Sequence, residues 1–146
     1  MEEFDGRIWE CACGDGAMSF VLEDYGYDVV SSDANDHGYG NRIDFLNSKY
    51  RVDNIVTNPP YLLAEEFIHH ALKLAKRKVA LLLRLPFLEG SGRFERIWSK
   101  TPPARVYVFS SRLTFYKKIS GSDELLPDSG GTTAYAWYVW DKSHKG

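Results

Sequence analysis

The sequence predicts one α/β domain built on a doubly wound, mostly parallel sheet of about seven strands with a terminal antiparallel strand. Three observations predict it. Short apolar runs at residues 7–10, 27–32 and 53–57 each end in a polar residue or a turn, and an open α/β sheet places its ligands at such strand ends. Segments with apolar residues at helical spacing follow two of these runs, from Ala17 and from Leu62. The last two strand-like runs have no helical segment between them, so an antiparallel pair closing the sheet is the economical reading.

Length and composition set the bounds. The 146 residues suffice for one domain with its own core, and the 44% hydrophobic content fits a globular chain. No apolar run approaches the roughly 20 residues of a membrane-spanning helix, and the start Met1-Glu2-Glu3-Phe4-Asp5 has neither a basic nor an apolar signal region. No membrane partner and a cytoplasmic location are therefore expected. Cys11 and Cys13 are the only cysteines, which excludes a disulfide framework. The net charge is −2, from 18 Lys and Arg against 20 Asp and Glu, so the chain as a whole is no basic nucleic-acid binder. The cations nevertheless crowd the second half, where they read either as a phosphate-facing surface or as solvated helix faces.

The elements follow in order. Arg7 to Glu10 is the first strand, and Cys11-Ala12-Cys13-Gly14-Asp15-Gly16 is a glycine turn into a helix starting near Ala17. Glycines there let a backbone approach a ligand, and the helix start presents unpaired N–H groups. The second strand, Tyr27 to Ser32, ends at Asp33. An acid about 20 residues beyond a glycine turn is where a doubly wound sheet holds a ribose, although Asp33-Ala34-Asn35-Asp36 also reads as a capped turn. Asn41 to Leu46 is a third short extended piece.

The fourth strand, Asp53 to Thr57, delivers Asn58-Pro59-Pro60-Tyr61. Two prolines lack N–H donors and fix φ, so the chain must leave the strand there. A bidentate amide, exposed carbonyls and an aromatic ring then stand together, a site for a planar polar group. Leu62 to Leu74 reads as a covering helix. Its His69 and His70 read as surface or packing histidines rather than metal ligands, and no metal is expected. Val79 to Leu83 is a continuous apolar run suited to a central strand, and Leu88 to Trp98 a further helix. Residues 105–109 and 133–140 form the closing strands. The long polar stretch Ser111 to Gly131 is a functional or mobile loop, and its Arg112, Phe115, Tyr116, Lys117 and Lys118 combine charge with rings that suit backbone contact and base stacking.

Asn58-Pro59-Pro60-Tyr61 resembles the NPPY signature of class I S-adenosylmethionine-dependent methyltransferases that modify an exocyclic or amide nitrogen, N6 of adenine in the nucleic-acid branch. Glu10 to Gly16 resembles the same family's cofactor motif, with Cys11 where a proline is usual. The resemblance implies a Rossmann-like fold and S-adenosylmethionine as cofactor, held by Glu10, Cys11, Ala12, Gly14, Gly16, Asp33 and Ala34. Asp44 and Phe45 resemble the family's adenine-binding segment, while an ordinary acid beside a core Phe explains them equally. The resemblance further implies Asn58, Pro59, Pro60 and Tyr61 as catalytic residues, with Tyr61 stacking on a nucleic-acid base, DNA ahead of RNA. Arg112, Phe115, Lys117 and Lys118, by their charge and rings, are the further candidate contacts to that substrate. Only residues 1–6 precede the first strand, so the family's usual N-terminal helix is expected to be missing. Without a second domain to read sequence, specificity is expected to be low or to be supplied by a homodimer partner or a separate specificity subunit. An RNA base or protein glutamine N-methyltransferase, and a non-catalytic Rossmann-like binding module, are the alternative readings.

Overall fold

The computed structural model describes residues 2–118, 125–127 and 133–146. Its main sheet has seven strands: β1 (Ile8–Glu10), β2 (Val29–Asp33), β3 (Asn41–Arg42), β4 (Val52–Thr57), β5 (Ala75–Arg84), β6 (Arg105–Val108) and β9 (Tyr135–Asp141). Their order is β3-β2-β1-β4-β5-β9-β6. β1 to β5 pair in parallel, and β9 runs antiparallel to both β5 and β6. The expected parallel sheet with its antiparallel strand is present, and β9 sits between β5 and β6 rather than at an edge.

Alternation along the strands explains the two layers. Trp9, Ile55, Val79, Leu81, Tyr138 and Trp140 face one side and pack against Phe67, Ile68 and Ala71 of helix α2 (Ala64–Leu74) and against Phe87 and Ile97. Ile8, Val56, Ala80 and Val139 face the other side, where Met18 and Leu22 of helix α1 (Ala17–Asp24) cover part of it together with Phe4, Tyr27 and Trp137. Each fully buried aliphatic side chain contributes about 1.5–3 kcal/mol relative to exposure. The N-terminal segment is tied beneath the sheet: Asn54 Nδ2 donates to the Asp5 carbonyl at 2.8 Å, and Lys78 Nζ donates to the Glu3 carbonyl at 2.7 Å.

Three expectations need correction. The third extended piece is a strand only at Asn41–Arg42, because Asp44 caps a 3₁₀ turn over Phe45–Asn47 by accepting from the Leu46 N–H. An Asp at such a position competes with the strand ladder for backbone donors. The helix expected from Leu88 to Trp98 is instead a 3₁₀ turn at Leu85–Leu88, a short α turn at Ser91–Arg93 and a π turn at Phe94–Trp98. Pro86 and Gly90 break the regular spacing there. The loop from Ser111 to Gly131 holds an antiparallel ribbon of β7 (Tyr116–Lys118) and β8 (Leu125–Pro127).

Candidate active site at the carboxyl edge of the parallel strands

The C-terminal ends of β1, β2, β4 and β5 bring Glu10, Asp33, Asn58 and Arg84 to one edge of the sheet. β1 is locked to both neighbours there. Trp9 Nε1 donates to Ser32 Oγ at 2.8 Å, and the Thr57 hydroxyl donates to Glu10 Oε1. The same Glu10 oxygen accepts from the Ala12 N–H at 3.0 Å and so holds the turn that follows. Glu10 is buried, which pushes its carboxyl up to about 7 against the opposing bonds from Thr57 and Ala12, with nearby Asp33 adding to the rise.

Two glycines shape that turn in different ways. Gly16 caps α1 with φ +93°, and a Cβ there would meet the Tyr39 ring at 2.7 Å, so only glycine fits. Gly14 has φ +54°, and nothing lies within 4 Å of where its Cβ would stand. The space over Gly14 is open. Cys11 is buried in the core, leaving only its backbone to the turn. Ala12 is partly exposed beside it.

Asp33 Oδ2 accepts from the Gly14 N–H at 3.0 Å and Oδ1 from the Asn35 N–H at 2.9 Å. The carboxylate therefore both caps its own turn and fastens the glycine turn of β1. Ala34 is exposed next to it, with its carbonyl accepting from Arg42 Nε at 3.3 Å. Asp44 is exposed and accepts from Asn47 Nδ2 at 2.6 Å. Phe45, expected against a ligand ring, is 1% exposed. It packs edge-on against Trp9 and His70 and tilted against Phe67, so its ring belongs to the core beneath Asp44.

Asn58 leaves β4 partly exposed, and among the described residues no hydrogen bond engages its side-chain amide. Pro59 is buried. Pro60 starts the 3₁₀ turn Tyr61–Leu63, its carbonyl accepting from the Leu63 N–H at 3.0 Å. Tyr61 is half exposed, and the Arg84 guanidinium lies 4.2 Å from its ring centroid. Arg84 Nε in turn faces the Tyr135 hydroxyl at 3.4 Å, and Phe115 packs on the Tyr135 ring at 4.9 Å. Phe115 thereby joins the wall that begins at Tyr61. Arg112 is exposed in the approach to the ribbon. Lys117 and Lys118 give backbone to β7, and their side chains lie outside the described residues.

Sequence reasoning missed Thr57, Arg84 and Tyr135. Arg84 had a signal: it ends an apolar central strand, as Asn58 follows one. Among the described residues no three His, Cys, Asp or Glu side chains converge as a metal-ligand set. His70 Nε2 contacts the Ser48 carbonyl at 2.8 Å instead. No helix there is long and apolar enough to cross a membrane.

The fold so described is shared with solved methyltransferases. One similar structure is an S-adenosylmethionine-dependent O-methyltransferase from Thermotoga maritima, with a TM-score of 0.57 and 17% identity, covering 99% of this chain and 62% of that one. A second is a precorrin-6y C5,15-methyltransferase from Geobacter metallireducens, with a TM-score of 0.59, 13% identity, and 96% and 83% coverage. A third is a tRNA (m1A58) methyltransferase from Aquifex aeolicus, with a TM-score of 0.54, 13% identity, and 92% and 62% coverage. The chain thus spans less than two thirds of the length of the first and third. No protein-family model and no curated protein matches the sequence. At these identities the likeness defines the Rossmann-like methyltransferase fold.

Proposed function

We propose that this chain is an S-adenosylmethionine-dependent methyltransferase acting on an amine nitrogen, N6 of adenine in DNA. The observation that carries the reading is the position of Asn58, one residue beyond β4 with a side-chain amide that no described residue engages, on the edge that also presents Glu10, Gly14 and Asp33. The residues present fit the cofactor. The open space over Gly14 leaves its backbone approachable, and each Asp33 oxygen keeps acceptor capacity beyond its one backbone bond. Bound there, S-adenosylmethionine supplies an electrophilic methyl group.

Asp33 accepts from the ribose hydroxyls. The backbone of Cys11, Ala12, Gly14 and Gly16 would approach the bound cofactor, Glu10 holds that backbone through its bond from the Ala12 N–H, and Ala34 and Asp44 would contact the adenosine moiety. Asn58 Oδ1 and the Pro59 carbonyl accept hydrogen bonds from the substrate amine. That pairing opposes delocalisation of the nitrogen lone pair into the ring and aims it. Alignment of this kind is worth several kcal/mol, because the entropy of bringing the reactants together is lost at binding. Tyr61 stacks on the base, offsetting part of an extrusion cost of a few kcal/mol. Arg112, Phe115, Lys117 and Lys118 border the route the strand takes.

Calorimetric titration with S-adenosylmethionine, followed by transfer of a tritiated methyl to DNA, RNA and a glutamine-containing protein, tests the reading. Heat of binding and label in DNA are expected. Absence of both heat and thermal shift overturns the enzyme assignment, and label in RNA or protein instead moves the substrate class.

A further inference from the structure

We propose that Arg84 is a positioning residue of this site: it fixes one face of Tyr61 so that the other receives the substrate ring, and its charge selects a phosphodiester-linked substrate. The inference rests on the methyltransferase reading for the identity of the ring, but not for the binding of the strand.

The backbone at Arg84 is tied down from β9 and the residue before it. The buried Tyr138 hydroxyl shares its one proton between the Arg84 and Leu85 carbonyls, at 3.1 and 3.2 Å, and the Leu85 N–H donates to the Ala134 carbonyl at 2.8 Å. The guanidinium then bridges two phenols, stacked on Tyr61 and hydrogen-bonded to Tyr135, its partner in the β5–β9 register. A planar cation over one face leaves Tyr61 one face for another planar group, and biases the ring toward that orientation.

Arg7, Arg77, Arg96 and Arg105 each meet a carboxylate, whereas Arg93, like Arg84, lies over a ring, that of Phe87 at 4.4 Å. What sets Arg84 apart is its place at the edge that carries Asn58 and Tyr61. Among the described residues Arg84 meets only phenols, so its charge stays uncompensated at the edge where Asn58 and Tyr61 wait. A nucleotide entering that edge brings a base and a phosphate together, and this pair matches a free ring face beside a cation. A neutral glutamine side chain brings no anion for it.

The test separates charge from stacking and binding from chemistry. A single-stranded, adenine-containing DNA oligonucleotide is titrated by fluorescence anisotropy over a salt series with the parent chain, Arg84→Gln and Arg84→Lys, and S-adenosylmethionine affinity and melting temperature are measured alongside. Arg84→Gln is expected to weaken oligonucleotide binding about 10-fold and to lower the log–log salt slope by about 1. Arg84→Lys should keep the slope yet lower kcat for methyl transfer, because an ammonium does not stack as a plane. S-adenosylmethionine affinity should be unchanged in both. The proposal is overturned if the parent binds no oligonucleotide, if the slope is the same in all three proteins, or if both variants only lower the melting temperature. Oligonucleotide binding without methyl transfer would remove the enzyme reading and leave Arg84 in its binding role.

Discussion

The Thr57 hydroxyl donates to the buried Glu10 carboxylate, so the ends of β1 and β4 are joined beneath the site before any ligand enters. Burial pushes Glu10 up to about 7 from an ordinary 4.5. Between those values the folded chain holds more protons than the unfolded chain, so stability falls as pH rises through that window. Glu10→Gln should therefore gain on the parent as pH rises from about 4.5 to 8, by on the order of 3–4 kcal/mol at about 1.4 kcal/mol per pH unit. Urea denaturation at several pH values checks this. A parent-to-variant difference that does not change with pH contradicts the assignment.

Asn58 carries no structural hydrogen bond among the described residues, so its removal should spare the fold. Asn58→Ala is expected to lower methyl-transfer kcat by roughly 10²–10³, the scale of losing one aimed polar group in a reacting site. Its melting temperature should stay within about 3 °C of the parent. Single-turnover transfer with labelled cofactor gives the rate, and parent-level activity would refute the clamp.

Gly14 and Gly16 should respond differently to alanine. Gly14→Ala meets no atom within 4 Å, so it costs only the left-handed backbone, about 1–2 kcal/mol, and crowds the space over the turn. Gly16→Ala carries a similar backbone cost and also drives a methyl into the Tyr39 ring. Thermal melts should rank Gly16→Ala as the less stable. Cofactor titration should show a clear affinity loss in Gly14→Ala even where that protein is fully folded.

The N-terminal segment offers an independent test of the fold. Burial opposes ionisation of Glu2, but hydrogen bonds from Arg105, Lys78 and Tyr107 outweigh it and hold its carboxyl at about 2. A carboxyl held this low adds stability that is present above its ordinary value of 4.5 and is lost as pH falls toward 2. Glu2→Gln should cost roughly 1–2 kcal/mol at pH 7, since the cluster is only partly buried. The cost should disappear in denaturation curves taken near pH 2.

How much was readable in the residues follows from range. The parallel strands could be read because Ile8-Trp9 and Ile55-Val56 put opposite neighbours on the two faces of one sheet, a pattern local to each run. Asn58 could be placed because two prolines after an apolar run end a strand wherever it lies. For Phe45 the residues offered a core ring and a ligand contact side by side, and the choice was out of reach because burial under Asp44 depends on Trp9, Phe67 and His70 arriving from other elements. The same holds for Arg84, whose stacking on Tyr61 joins positions far apart in the chain. The β7–β8 ribbon was missed because Tyr116–Lys118 and Leu125–Pro127 are too short to declare a period.

The place of β9 has a consequence for how the molecule is made. Its Tyr135–Asp141 backbone fills the gap between β5 and β6, so neither edge is satisfied until the last strand is synthesised. From its own synthesis until β9 is made, the apolar run Val79–Leu83 therefore offers an open edge, the kind of surface on which nascent chains associate. The sheet closes late and all at once, through contacts between residues 51 to 63 positions apart along the chain. Slow, chaperone-sensitive folding is the expected signature, and a ribosome-stalled chain ending before residue 135 should be protease-sensitive throughout, including at the carboxyl edge that carries Asn58.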